Sequence, residues 1–453
     1  MNTKKKLSLS TTQIVLISFL LAVLVGSILL SLPISSADGK PVPYIDALFT
    51  ATTSCCVTGL VTLSTVSAWS TFGQAVILVL IQIGGLGVIT VMSGIMIMLD
   101  RKMGIGDRLL IQDAFNLNTM SGMSEFIKKI LLGTFIIEGA GALLMMIAFV
   151  PRFGVRGIWI SVFHSISAFC NAGMDIIGEN SLCDYAKSPL VNTVTSLLII
   201  LGGIGYIVWW DVIRVIRSRT AKNKKVFRHL TLHSKIAIVA TLVLILGGGL
   251  LIFVFEYNNP LTIGGMSLFD KIQVSLFQSV TTRTAGFFSV PQQNLTSAST
   301  VLSMLLMAIG GSPVGTAGGM KTVTVVVLFC SAIATIKNKK SSTLFGRRFS
   351  PYSVRKSVAV TVTFVTIMFS SSVLLAFFSN ASVVDILYEC VSAAATVGLS
   401  RNLTPTLGVA GKLIVTATMY LGRVGPISLA VALGSGVETQ NVIKEPIEDI
   451  SVG

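Results

Sequence analysis

The sequence predicts an all-α polytopic membrane protein: four pseudo-repeats of helix, re-entrant pore loop and helix, eight spans in all, around a central ion pore. Three observations carry that reading. Of 453 residues, 52% are hydrophobic and only 12% charged, with a mean hydropathy of +0.83, whereas soluble domains hold about 25% charged residues. Windows of about 20 mostly apolar residues recur along the chain, the length that crosses a bilayer as a helix. A glycine signature returns at a nearly constant period, and a fixed period decides architecture before individual elements do. The composition excludes a soluble enzyme. No His/Asp/Glu or Ser/Lys constellation lies within the spans, which disfavours an intramembrane enzyme as well.

The signature is a glycine followed by a bulky apolar residue: Val57-Thr58-Gly59-Leu60, Asn171-Ala172-Gly173-Met174, Thr284-Ala285-Gly286-Phe287 and Thr396-Val397-Gly398-Leu399. Successive glycines are 114, 113 and 112 residues apart, so four periods account for nearly the whole chain. Ten positions before each stands Phe49, Phe163, Leu276 or Tyr388. The apolar run before each glycine is too short to span, and runs of 10–14 residues read as re-entrant helices. A second glycine feature follows 24 to 29 residues later: Gly84-Gly85-Leu86-Gly87, Gly202-Gly203-Ile204-Gly205, Gly310-Gly311 and Gly422-Arg423-Val424-Gly425. It falls midway along an apolar segment, where glycine serves close helix packing or pore lining.

In chain order the repeats occupy residues 1–113, 114–228, 229–345 and 346–436, with a short cytoplasmic tail at 437–453. The first span follows MNTKKKLSLS as an apolar run from Ile14 to Leu32; no small-residue cleavage site precedes Pro33, so the run reads as retained. The eight spans are drawn at about 12–32, 72–99, 130–150, 190–213, 236–256, 300–336, 357–379 and 410–433. The six cysteines, Cys55, Cys56, Cys170, Cys183, Cys330 and Cys390, have no C-x-x-C or metal spacing.

Charge tests this topology independently, because cytoplasmic loops hold the Lys and Arg. With both termini inside, 24 of the 34 basic residues and nine of the 19 acids are cytoplasmic. Outside, eight basic residues meet nine acids, and the three charges left over, Lys321, Arg423 and Glu138, lie within spans. The net charge of +15 is thus an orientation signal and not a nucleic-acid footprint. The segments Arg214–Lys235 and Lys337–Lys356 carry eight and seven basic residues without an acid. They suit anionic membrane lipids or docking of an acidic cytosolic partner.

Non-helical backbone at membrane depth survives only inside protein or beside a water-filled cavity. Four such loops around an axis present rings of carbonyls that replace the hydration shell of a cation. The expected filter is Val57, Thr58, Gly59, Asn171, Ala172, Gly173, Thr284, Ala285, Gly286, Thr396, Val397 and Gly398. The stretch 310–319 holds five glycines and a proline in ten residues and cannot sustain a helix. Gly310, Gly311, Ser312, Gly315, Thr316, Gly318 and Gly319 are expected to form a mobile gate just inside the filter, with Lys321 and Arg423 beside it. Charge at that depth faces a cavity or a partner. His164 reads as a buried hydrogen-bonding residue rather than a metal ligand, and Glu138 as a partner for a buried polar group, with an ion relay as its alternative.

These residues resemble the Trk/Ktr/HKT superfamily of potassium transporters, closest to the Ktr-type membrane subunit, over essentially the whole chain. The resemblance rests on the four filter glycines, Asp46 to Thr50, Phe163 to Phe169, Arg283 to Phe287, Gly310 to Lys321 and Gly422 to Pro426. It implies potassium uptake across the plasma membrane by a homodimer. It also implies a cytosolic nucleotide-binding regulatory ring of the RCK (KTN) type, so that nucleotide acts only through that partner, and sodium as a possible stimulus. Glycine in all four loops goes with potassium in that superfamily. Cys55-Cys56 departs from its usual first loop, where threonine precedes V-T-G, and is expected to alter affinity or thiol sensitivity more than ion identity. The alternatives are a sodium-permeable member or a secondary transporter of another class. The latter would show inverted repeats and a midplane substrate site, whereas these repeats run in one orientation.

Overall fold

The computed structural model describes residues 11–99, 104, 122–218, 226–339 and 341–425. Lys4 to Lys6, most of Arg101–Lys129, residues 219–225, Pro426, the end of the last expected span and the tail 437–453 with Lys444 lie outside the described residues.

Among those residues an element order recurs. A long helix comes first: α1 (Thr11–Ser31), α5 (Met123–Phe153), α9 (Leu232–Glu256) and α13 (Pro351–Phe378). A short helix follows: α2 (Tyr44–Cys55), α6 (Arg156–Cys170), α10 (Leu268–Thr281) and α14 (Val383–Ala394). The inner segments are α3 (Thr71–Leu86) with α4 (Val88–Met98), α7 (Pro189–Gly203) with α8 (Tyr206–Arg217), α11 (Ser297–Ala308) with α12 (Thr322–Ile336), and α15 (Val409–Val424). A two-stranded hairpin, β1 (Thr343–Leu344) and β2 (Arg347–Arg348), follows α12.

Local chemistry sets many of the helix starts. Ser70, Ser188, Thr231, Ser267, Thr296, Ser350 and Ser382 each accept a hydrogen bond from an amide three residues on, satisfying a donor that the first turn leaves unpaired. Pro189 and Pro351 occupy first-turn positions, where the missing N–H costs nothing.

Among the described residues four helices, the long ones, are apolar and long enough to cross a membrane, and the number is six if each bent pair counts as one span. The bends differ from the sequence expectation of continuous inner helices over 72–99 and 190–213. They measure 97° and 94° and lie at Gly87 (φ 84°) and Gly205 (φ 94°), left-handed conformations that end a right-handed helix and suit glycine. The expected span 300–336 is split into α11 and α12 by the glycine-rich stretch. The long helices turn bulky apolar side chains outward, among them Leu143, Leu250 and Phe377, the arrangement lipid contact favours.

Packing closes into a ring. Each inner helix lies against the short helix of its own unit or the next: α3 against α2 and α6, α7 against α6 and α10, α11 against α14, and α15 against both α14 and α2. Two contacts seal the seam between chain ends. Lys412 Nζ meets Asp46 Oδ1 at 2.5 Å, with side chains 15% and 9% exposed, and the Tyr420 hydroxyl donates to Leu16 O at 2.7 Å.

Removing one partner of a buried pair strands the other charge. Asp46→Ala is therefore expected to cost about 3 kcal/mol and lower the melting temperature of detergent-solubilised protein. Asp46→Leu combined with Lys412→Met should recover most of the loss. Equal melting of Asp46→Ala and the parent chain would mean that the pair does not hold the seam.

Candidate functional site

The four expected loops meet. Each short helix stops at its last carbonyls, and the chain turns through a left-handed residue: Val57 (φ 55°), Asn171 (58°), Thr284 (69°) and Thr396 (51°). Two positions later the glycine is left-handed again, at 98°, 66°, 83° and 94° for Gly59, Gly173, Gly286 and Gly398. Asparagine tolerates this region, but valine and threonine are strained there, and such strain persists only where the surroundings dictate it.

The surroundings are the neighbouring loops. A Cβ on Gly59 would lie 2.5 Å from Ala172 O, on Gly173 2.7 Å from Ala285 O and on Gly286 2.5 Å from Val397 O, while on Gly398 it would strike Thr58 O. Each glycine thus faces the carbonyl that precedes the next glycine, in the order first, second, third, fourth and back to first. No residue with a side chain fits at any of the four without displacing backbone. The twelve residues Val57 to Gly59, Asn171 to Gly173, Thr284 to Gly286 and Thr396 to Gly398 come together within this ring.

Four hydroxyl residues hold the loops to their helices, and the sequence reading missed them. Thr53 Oγ1 accepts from Gly59 N at 2.9 Å and Ser392 Oγ from Gly398 N at 3.0 Å. Ser167 Oγ donates to Met174 O and Thr281 Oγ1 to Phe287 O, both at 2.5 Å. The signal was present, since Thr53, Ser167 and Ser392 each stand six residues before the glycine and Thr281 five. Among the described residues four buried side-chain oxygens in the ring have no hydrogen-bond partner: Thr58 Oγ1, Asn171 Oδ1, Thr284 Oγ1 and Thr396 Oγ1. Buried polar atoms are ordinarily satisfied, so these four stand out.

The glycine-rich stretch runs from the end of α11 to the start of α12 and lies against this ring. It begins and ends as a narrow ribbon: Gly310 N donates to Met320 O at 2.8 Å and Thr322 N to Gly311 O at 3.0 Å. Between, it is tied to the bend of the second inner segment, with Ser312 N to Gly203 O at 2.8 Å, Thr316 N to Gly202 O at 3.1 Å and Tyr206 N to Val314 O at 2.8 Å. A Cβ on Gly318 would collide with Thr396 Oγ1 of the fourth loop. Gly315 and Gly319 complete the stretch, Gly319 with φ 65°.

Both expected cations are there, bound to backbone. Arg423 Nη1 donates to Thr316 O and Nη2 to Gly84 O, each at 2.5 Å, and Lys321 Nζ donates to Ala317 O at 2.5 Å. Neither forms an ion pair among the described residues. A cavity of about 760 Å³ opens beside the stretch, lined by Gly315, Gly318, Lys321 and Arg423 together with Arg348 and Lys356.

The remaining candidates are outside the ring. Glu138 accepts from Gln82 Nε2 at 3.2 Å on both oxygens and from Cys170 Sγ at 3.8 Å, which makes it the partner of buried polar groups. His164 Nε2 pairs with Thr195 Oγ1 at 2.9 Å, and among the described residues no cluster suited to a metal ion occurs. Gly84, Gly202 and Gly422 each press on the end of a short helix, where a Cβ would hit Cys55 O, Phe169 O or Ala394 O. That is close packing, and Gly422 also lines the cavity beside the stretch.

A family model described as "TrkH: Cation transport protein" matches residues 1–442. The chain is 38% identical over 442 residues to Ktr system potassium uptake protein B of Bacillus subtilis, covering 97% of this chain and 96% of that one. It is also 38% identical over 432 residues to the potassium/sodium uptake protein NtpJ of Enterococcus hirae, covering 94% and 93%. In structure it is similar to the potassium transporter TrkH from Vibrio parahaemolyticus, with a TM-score of 0.73 at 17% identity over 96% of this chain and 86% of that one. The chain belongs to the TrkH family of cation transport proteins.

Proposed function

We propose that this chain is the membrane subunit of a potassium uptake system. Potassium passes along the axis of the four loops, through eight spans arranged as four pseudo-repeats, and the glycine-rich stretch is the gate. The closed ring of loops is the observation that carries the reading. Left-handed residues at two positions of each loop rotate successive peptides, so that carbonyls turn to one axis and stand in for the ion's water. The carboxyl ends of α2, α6, α10 and α14 run directly into the loops and add partial negative charge there. The unpartnered Thr58, Asn171, Thr284 and Thr396 oxygens supply further ligands. Glycine in all four loops favours potassium, and the names of the Bacillus and Enterococcus relatives agree with a potassium route.

The gate reading rests on conformational chemistry. A stretch of five glycines in ten residues has wide conformational freedom, and its position is fixed by hydrogen bonds to the second inner segment and by one arginine from the fourth. Lys321 and Arg423 place uncompensated positive charge beside the path, which raises the barrier for cations while the stretch is in this position. A cytosolic nucleotide-binding ring moves it, docking on the basic segments Arg214–Lys235 and Lys337–Lys356. The ring, the homodimer and stimulation by sodium follow from the family resemblance. Both termini are cytoplasmic in this reading, as the excess of basic residues on that side requires.

Two outcomes test it. Gly286→Ser should reduce potassium uptake or its discrimination against sodium in a host without its own potassium transporters, because the new side chain meets Val397 O. Wild-type kinetics for this variant would remove Gly286 from the filter, and sodium uptake matching potassium in the parent chain would select the sodium-permeable reading. Arg423→Gln releases Thr316 O and Gly84 O and should raise basal rubidium leak several-fold in proteoliposomes. A leak equal to the parent's would reduce Arg423 to a packing residue.

A further inference from the structure

We infer that Thr316 is a positioning residue that fixes the orientation of the Asn171 amide, so that the gate and the second filter loop cannot move independently. This rests on the filter and gate reading above. Thr316 is fully buried and every polar group it has is used. Its hydroxyl lies 3.1 Å from Asn171 Nδ2 and 3.0 Å from Phe169 O, its amide donates to Gly202 O at 3.1 Å, and its carbonyl accepts from Arg423 Nη1 at 2.5 Å.

The direction of these bonds is forced. Phe169 O can only accept, so the single hydroxyl proton of Thr316 goes to it. Thr316 Oγ1 therefore meets Asn171 as an acceptor, and Asn171 must present its NH₂ group to the gate. Its oxygen, Oδ1, is left without a partner among the described residues. A carboxamide with its oxygen free serves a cation; the same group turned over offers N–H donors, which repel one. Asn171 is the left-handed residue of its loop, in register with Thr284 and Thr396, whose hydroxyl oxygens are also unpartnered. The gate thus selects the polarity of one of these ligands.

Room for the chain of bonds is made by glycines. A Cβ on Gly202 would fall 2.8 Å from Thr316 Oγ1, and one on Gly203 3.2 Å from Asn171 Nδ2. When the stretch leaves its position, the Thr316 bonds to Asn171 and Phe169 break together, and the amide is free to turn. Opening and selectivity are then linked through one hydroxyl.

The test uses the full-length chain in proteoliposomes, with rubidium-86 uptake measured against increasing sodium. Thr316→Val keeps the shape and removes both hydroxyl bonds; Thr316→Ala removes them with less bulk and covers the case in which valine does not fold; Thr316→Ser retains them. Discrimination against sodium is expected to fall about fivefold, the factor that one lost hydrogen bond is worth, in Thr316→Val and Thr316→Ala and to stay at the parent value in Thr316→Ser. Parent-like discrimination in the valine and alanine variants, or an equal loss of rubidium and sodium flux, would overturn the inference while leaving the transporter reading intact. A parent chain that carries both ions without distinguishing them would also overturn the inference and select the sodium-permeable reading, and a parent chain with no rubidium uptake would instead overturn the transporter reading.

Discussion

The rest of the molecule depends on a contact between backbones, in which the glycine of one loop lies against the carbonyl before the glycine of the next. Four such contacts close a circle, and each tolerates no side chain. Strain is stored around it, because Val57, Thr284 and Thr396 are β-branched residues held left-handed. That strain needs support, and the packing of inner helices onto short helices supplies it. Gly84, Gly202 and Gly422 let those helices approach until their backbones touch the ends of the short helices. The Lys412–Asp46 pair and the Tyr420–Leu16 bond then join the last unit to the first.

Arg423 ties the circle to the stretch below it. Its two bonds reach a carbonyl of the glycine-rich stretch and a carbonyl of the first inner helix, while the stretch itself rests on Gly202 and Gly203 of the second. Segments from all four units therefore share one hydrogen-bonded assembly beneath the loops. A guanidinium suits this place because its fixed fork donates to two carbonyls at once, without the carboxylate that would trap a passing cation. The stretch itself bonds to the second unit through Gly202, Gly203, Tyr206, Phe169 and Asn171 and to the fourth through Arg423, and Arg423 extends that link to the first.

Much of this was legible in the chain. The period of the glycines, the short apolar runs before them, the stretch at 310–319 and the two isolated cations are local patterns, and local patterns survive in one dimension. What sequence could not give was the third dimension. The 97° and 94° bends leave no mark in the sequence pattern, because Gly87 and Gly205 sit inside apolar runs. The hydroxyls of Thr53, Ser167, Thr281 and Ser392 look like ordinary small polar residues until the loop folds back on them. The Asn171–Thr316 bond joins residues 145 apart, and no periodicity announces a partner at that distance. The readings of the tail and of the first cytoplasmic segments concern residues outside those described.

The most direct test of the central claim is to locate the ion. Anomalous diffraction from crystals of the full-length protein grown with rubidium in place of potassium should give a peak on the axis of the ring, among Gly59, Gly173, Gly286 and Gly398. It should weaken when sodium is exchanged in. Density for rubidium only elsewhere in the molecule, or none among the four loops at saturating rubidium, would contradict a filter at this ring.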